Sequence, residues 1–214
     1  ILISHLHGDH YFGLIGLLST MHLLGRVKPL KIFGPVGLEN IINVQLEAGR
    51  GRLDYEVEYT ELEDGRQEEL FADEKISISC FKLFHKIPTS GFVICQKEKE
   101  RTLDVEKAVK EGVKIEEYHI LKRGKDIHRG DGTIIKFEEY TKNQYPEKKY
   151  AYCSDTEFNK DIVESVKGVN LLYHEATFTT ALEDRAKLTR HSTAKQAAEI
   201  AQMAEVDKLI LGHI

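Results

Sequence analysis

At 214 residues, 41% hydrophobic and 30% charged, the chain is long enough to bury a core without disulfide or metal staples. Its net charge of -5 offers no general attraction to nucleic acid, so contact with such a partner must be local. No apolar run is long enough to span a membrane, no signal-peptide pattern is present, and three cysteines without a CxxC pair (Cys80, Cys95, Cys153) argue against a disulfide framework or a structural zinc-thiolate site; a cytoplasmic protein is expected.

The chain opens on ILISHLHGDH. Residues 1–3 read as the end of a buried strand that runs straight into His5, His7, Asp9 and His10. Three imidazoles and a carboxylate this close together need partners for their nitrogens and oxygens, and a divalent cation supplies one. In an extended segment His5 and His7 share a face and reach one ion; Gly8 lets the backbone turn, and Asp9 and His10 then aim at a second position nearby. Neutral imidazole with carboxylate suits zinc first, manganese or iron less specifically.

Residues 11–25 carry Phe12, Ile15, Leu18 and Met21 at helical spacing, with Gly25 placed as a C-cap. A short strand is predicted over 30–33, then a Gly34-Pro35 turn and a helix over 38–48. Residues 55–62 and 69–71 look extended. Alternation over 75–84 predicts a strand with Ile76, Ile78 and Cys80 on one face, and a second strand over 91–96 completes a hairpin. His85 stands just beyond the first of these strands, as His5 does. By itself it would be ordinary; it gains weight because catalytic zinc usually takes three protein ligands.

Residues 97–132 break this pattern. Between Lys97 and Arg129 lie ten Lys/Arg against eight Asp/Glu, net +2 in an acidic chain. One amphipathic helix fits 103–111, followed by the basic cluster Lys122-Arg123-Gly124-Lys125. Such a segment is either a solvated insertion or an arm that grips phosphates, and Lys97, Lys99, Arg101, Lys107, Lys110, Lys122, Arg123 and Lys125 would supply the grip.

The α/β alternation resumes at Lys149. A strand over 150–153 delivers Ser154, Asp155 and Thr156; a helix is expected around 160–167; a strand over 169–173 delivers His174 and Glu175. After a helical stretch near 181–187 come Arg190, His191, Ser192 and Thr193, with Thr193 and Gln196 spaced as a capping box for a helix ending near Ala204. A last strand over 208–211 delivers His213. Five segments thus place a His, Asp or Glu beyond a strand or ahead of a helix, where open sheets collect ligands.

HLHGDH, from His5 to His10, is similar to the His-x-His-x-Asp-His signature of the metallo-β-lactamase superfamily. His85, Asp155 in YCSDT and His213 in LGH resemble that superfamily's other ligands in order and setting. HEATF from His174 and RHSTAKQAAEIA from Arg190 resemble the ribonuclease Z family, endonucleases that trim 3′ trailers from precursor tRNA. The resemblance implies an α/β fold, a four-layer αββα sandwich, as one domain over residues 1–214. That domain would lack the family's N-terminal strands and C-terminal end and would carry a tRNA-binding arm at about 97–132. It implies two zinc ions per subunit, replaceable by manganese or another divalent ion. His5, His7 and His85 would hold one, Asp9, His10 and His213 the other, and Asp155 would bridge them. Asp9 would take a proton from the attacking water, His191 would protonate the leaving oxygen, and Glu175 would orient His191. Precursor tRNA and a second copy of the chain are the implied partners, with neither DNA nor membrane; His174, His119 and His128 are expected to be structural or exposed. Two other classes share features with this reading: a small-molecule phosphodiesterase, arylsulfatase or thioester hydrolase on the same fold, which needs neither the arm nor the Glu175–His191 pair, and a non-catalytic metal- or RNA-binding module, which would tolerate loss of a ligand.

Overall fold

The computed structural model describes residues 1–142 and 145–214. Their contacts separate two units, one of residues 1–72, 77–94 and 149–214, the other of residues 73–76 and 95–148. No helix among the described residues is long and apolar enough to cross a membrane.

In the first unit residues 1–3 lie parallel to β1 (Leu30–Pro35), bonded through Ile3 N to Phe33 O at 2.8 Å and Phe33 N to Ile1 O at 2.9 Å. The strand end is followed by a short helix α1 (Gly8–Tyr11), where a turn at Gly8 had been expected, and then α2 (Gly13–Leu23), within the helix expected over 11–25. β1 runs into α3 (Leu38–Ala48) and then pairs in parallel with β2 (Val57–Leu62). β3 (Glu68–Ala72) pairs antiparallel with β4 (Ile76–Leu83), and β4 neighbours β5 (Thr89–Gln96), the expected hairpin.

The chain then builds the second unit from short pieces: β6 (Thr102–Leu103), α4 (Val105–Lys110), α5 (Tyr118–Lys122), β7 (Ile127–His128), β8 (Ile134–Ile135), α6 (Phe137–Tyr140) and β9 (Thr141–Lys142). β6 pairs with β9 and β7 with β8. Asp104 caps α4, its carboxylate accepting the Lys107 amide at 3.0 Å. The unit has its own core of Ala108, Val113, Leu121, Ile127, Ile135 and Tyr140. These residues are scattered among charges at no regular period, so the sequence reads as charged throughout. Because Ile135 and Tyr140 complete that core, the unit runs to Lys148 rather than stopping near Gly132.

Back in the first unit, β10 (Lys148–Cys153), β11 (Leu171–Glu175) and, after α7 (Glu183–Thr189) and α8 (Ala194–Met203), β12 (Leu209–Gly212) are mutually parallel. The six-stranded order is β12-β11-β10-β5-β4-β3. Between β10 and β11 the expected helix is two 3₁₀ turns, Lys160–Ile162 and Glu164–Val166, in a stretch whose β-branched Ile162, Val163 and Val166 disfavour a regular helix. Thr193 caps α8 in a reciprocal box with Gln196.

The side chains alternate between three apolar layers. Ile32 of β1 packs with Leu14, Leu18, Leu38 and Ile42 of α2 and α3, while its neighbour Phe33 packs with Leu62, Cys80 and Phe92. Cys80 therefore lies between the sheets, and Phe81 beside it joins Leu83, Ala151, Cys153, Leu172 and Ile200 on the α8 side. Helices, sheet, sheet, helix: this is the four-layer αββα sandwich of the expected fold.

Candidate metal centre

The site lies wholly within the first unit, at the carboxyl ends of its strands. The first strand delivers His5, α1 carries Asp9 and His10 in a single turn, the loop after β4 places His85, that after β10 places Asp155, and β12 places His213. Gly212 makes the last placement possible, since a Cβ there would run into the Tyr173 ring and hydroxyl. His213 itself sits at φ 55°, a left-handed conformation that residues other than glycine rarely hold.

Two groups of donor atoms face each other across Asp155. In one, His5 Nε2 and His85 Nε2 lie 3.1 Å and 3.2 Å from His7 Nδ1, and 3.6 Å and 3.8 Å from Asp155 Oδ2. In the other, His10 Nε2 lies 3.3 Å from both Asp9 Oδ2 and Asp155 Oδ1, and His213 Nε2 lies 3.5 Å and 3.4 Å from the same two oxygens. Ligand atoms about 2.0–2.2 Å from a tetrahedral ion stand roughly 3.3–3.6 Å apart, which is close to these spacings. All seven residues named from the sequence as ligands are here, each with a donor atom in one group or the other.

The donor chemistry fits a cation. His85 Nδ1 donates to the Arg190 carbonyl at 2.8 Å, which leaves a neutral ring with a bare lone pair on Nε2, turned toward His7 and Asp155. His10 Nε2 is buried and, among the described residues, makes no hydrogen bond despite its two carboxylate neighbours. Lone pairs converging on carboxylate oxygens repel unless positive charge lies between them. Burial pushes the His5 imidazole down to about 3, so it stands as a neutral donor. Burial opposes ionisation of Asp155, yet the imidazoles of His10, His213 and His5 hold its carboxyl below the ordinary range.

Beside the two groups lies a third cluster. Glu175, fully buried at the end of β11, accepts the Thr156 amide (2.9 Å) and His191 Nδ1 (2.8 Å) on Oε1, and the Thr177 amide (3.1 Å) and hydroxyl (2.9 Å) on Oε2. Burial alone would raise its pKa; the His191 bond and the two amides reverse the balance and lower it. Burial likewise works against protonated His191, and the Glu175 bond outweighs it, so the His191 pKa is raised. His191 lines a cavity of about 690 Å³ with Glu157, Phe158, Thr180, Glu183, Lys187 and Gln196. Its Nδ1 is 4.0 Å from Asp155, close enough for a ligand, but Glu175 already engages that nitrogen.

Sequence reasoning overlooked the residues that orient the rings. Ser4 Oγ is 3.1 Å from His5 Nδ1, Ser154 Oγ 3.4 Å from His10 Nδ1, and Thr177 Oγ1 2.8 Å from His213 Nδ1. Arg190, at φ 57° beyond α7, also donates a guanidinium N–H to the His85 carbonyl at 3.1 Å. Thr177 alone left a signal, two positions beyond Glu175 and so on the same face of an extended segment. His174 is buried, its Nδ1 donating to the Glu175 carbonyl at 2.7 Å; His119 and His128 are exposed in the second unit.

The basic residues named from the sequence all belong to the second unit. Lys99, Arg101, Lys122 and Arg123 line one cavity of about 240 Å³ with Glu98 and Glu100. Glu100 pairs with Lys122 at 2.9 Å and Arg123 at 3.5 Å, so their charge is shared. Lys107 and Lys97 bond the carbonyls of Glu139 and Asp73, and Arg101 the Thr141 hydroxyl. Lys110 ends α4, and Lys125 is exposed.

No family model matches the chain. Curated relatives do. A protein named ribonuclease Z from Porphyromonas gingivalis is 42% identical over 213 residues, covering 100% of this chain and 70% of the relative. One of the same name from Bacteroides thetaiotaomicron is 41% identical, covering 100% and 67%. Among solved structures, the short form of human tRNase Z superposes with TM-score 0.70 at 27% identity, over 100% of this chain and 71% of that one. The metallo-β-lactamase fold protein YhfI from Bacillus subtilis shares the fold, with TM-score 0.60 at 15% identity over 100% and 63%. Identity of about four residues in ten over the whole chain is far beyond shared architecture: the chain belongs to the ribonuclease Z family.

Proposed function

We propose that this chain is an endoribonuclease that removes the 3′ trailer from precursor tRNA, using two divalent ions, zinc or manganese. His5, His7 and His85 would hold one ion, Asp9, His10 and His213 the other, with Asp155 giving one oxygen to each. Such ions supply a water of lowered pKa and neutralise charge on the phosphate. The exposed Asp9 carboxylate, reachable from solvent, would take the proton of the attacking water. As the water oxygen bonds to phosphorus, the bond to the ribose 3′ oxygen breaks, and His191 protonates that oxygen through Nε2, because Nδ1 is committed to Glu175. The tRNA leaves with a 3′ hydroxyl and the trailer with a 5′ phosphate.

The observation that carries this reading over a small-molecule hydrolase is the pairing of buried Glu175 with His191 beside the two ligand groups. A ribose alkoxide is a poor leaving group and needs a general acid, worth about 10²–10⁴-fold. A p-nitrophenolate leaves unaided. His191→Ala should therefore reduce precursor-tRNA cleavage by about two to four orders of magnitude and leave hydrolysis of bis-p-nitrophenyl phosphate and metal content near wild type. Intact tRNA cleavage would place the proton donor elsewhere, and loss of metal would make His191 a ligand.

The basic residues of the second unit would hold the tRNA through its phosphates; its stretch from Lys97 to Arg129 carries ten Lys/Arg against eight Asp/Glu in an acidic chain. A second copy of the chain is the partner that would cover α2 and the turn after it, where Phe12, Leu17, Leu23, Leu24 and Val27 stand exposed.

A further inference from the structure

The Thr177 hydroxyl sits between two parts of the site with different tasks. It donates to Glu175 Oε2 at 2.9 Å, since a carboxylate can only accept. Its remaining lone pairs face His213 Nδ1 at 2.8 Å and His191 Nδ1 at 3.3 Å. With its one proton given to Glu175, the hydroxyl accepts Nδ1–H from His213. That fixes the His213 tautomer and leaves the Nε2 lone pair turned to Asp9 and Asp155. Glu175, meanwhile, accepts four hydrogen bonds and is fully buried, so it is a fixed anchor.

We infer that Thr177 is a positioning residue that joins His213 to the carboxylate orienting His191, so that one buried anion aligns both a metal ligand and the proton donor. The inference rests on the ligand and acid roles proposed above. A ligand imidazole whose outer N–H loses its acceptor typically loses about 10–100-fold in metal affinity. The direct Glu175–His191 bond, by contrast, survives without Thr177.

The test uses the purified chain and zinc alone, with affinity read by competition against a chromophoric chelator. Thr177→Val keeps the branched shape without the hydroxyl, and Thr177→Ala removes it without any steric demand, so one remains informative if the other fails to fold. Both should weaken the zinc that His213 would hold by about 10–100-fold and lower hydrolysis of bis-p-nitrophenyl phosphate at limiting zinc, with recovery at excess zinc. Thr177→Ser should restore wild-type affinity. Wild-type zinc affinity in the Val or Ala variant overturns the inference, as does a Ser variant no better than Ala, which would assign the role to the methyl group. If the wild type itself binds no divalent ion or does not cut precursor tRNA, the proposed function fails instead.

Discussion

An imidazole offers a metal only one of its nitrogens, and in this site the other is engaged in four rings. His5, His10, His85 and His213 turn their outer Nδ1 to Ser4, Ser154, the Arg190 carbonyl and Thr177. Such contacts choose the tautomer and hold the ring before any ion arrives. They also explain what was legible. Seven His and Asp residues at strand ends could be picked out because buried imidazoles and carboxylates demand a reason. A serine, a threonine or a main-chain carbonyl carries no such mark, and Arg190 acts on His85 from 105 positions away through its backbone. The Glu175–His191 pair leads to a prediction on pH. The carboxylate raises the His191 pKa, and a general acid works only while protonated, so the alkaline limb of kcat/KM should follow that group. In Glu175→Gln the raising charge is gone, and the alkaline limb for precursor tRNA should move to lower pH than in the wild type at the same zinc concentration. The profile for bis-p-nitrophenyl phosphate should stay put. A tRNA profile that does not move would remove Glu175 from control of the acid.

At the scale of elements, periodic segments were read well and crowded ones were not. The helix over 38–48 matches α3 residue for residue, since its apolar side recurs at helical spacing against one sheet. β11 extends through Glu175 rather than stopping at Tyr173, so His174 and Glu175 are strand residues whose polar side chains disguised them. β4 was expected to hide one face; its end is buried on both, with Cys80 between the sheets and Phe81 toward α8. α2 bears the opposite anomaly. Leu14 and Leu18 are buried, whereas Leu23, Leu24 and Val27 are 81%, 82% and 77% exposed. An apolar ledge of that kind is stabilised by cover. If a second copy supplies it, the wild type should sediment as a dimer and Leu23→Asp with Leu24→Asp as a monomer, with circular dichroism unchanged. A wild type that is monomeric at micromolar concentration would assign the ledge to something else.

For the molecule as a whole, the layered sandwich follows from which neighbours face apart: Ile32 from Phe33, Cys80 from Phe81. The second unit was visible as a charged interruption but not as a folded body, because its core residues are few and irregularly spaced. Its proposed role can be isolated. Replacing residues 97–147 by a short Gly/Ser linker should leave hydrolysis of bis-p-nitrophenyl phosphate within a fewfold of wild type. The same deletion should raise KM for precursor tRNA and flatten the dependence of log KM on log salt. Equal loss of both activities would make the unit a structural necessity.

The chain leaves the six-stranded sheet at the end of β5 and re-enters it at the start of β10, and these strands are hydrogen-bonded neighbours. Melting everything between them therefore opens a loop whose ends are already pinned together. Closing a loop costs little more as it lengthens, about 0.6 kcal/mol per doubling. The topology therefore permits the inserted unit to melt while the sandwich holds. If the second unit holds the tRNA as proposed, the chain in that state would cut small phosphodiesters without selecting RNA.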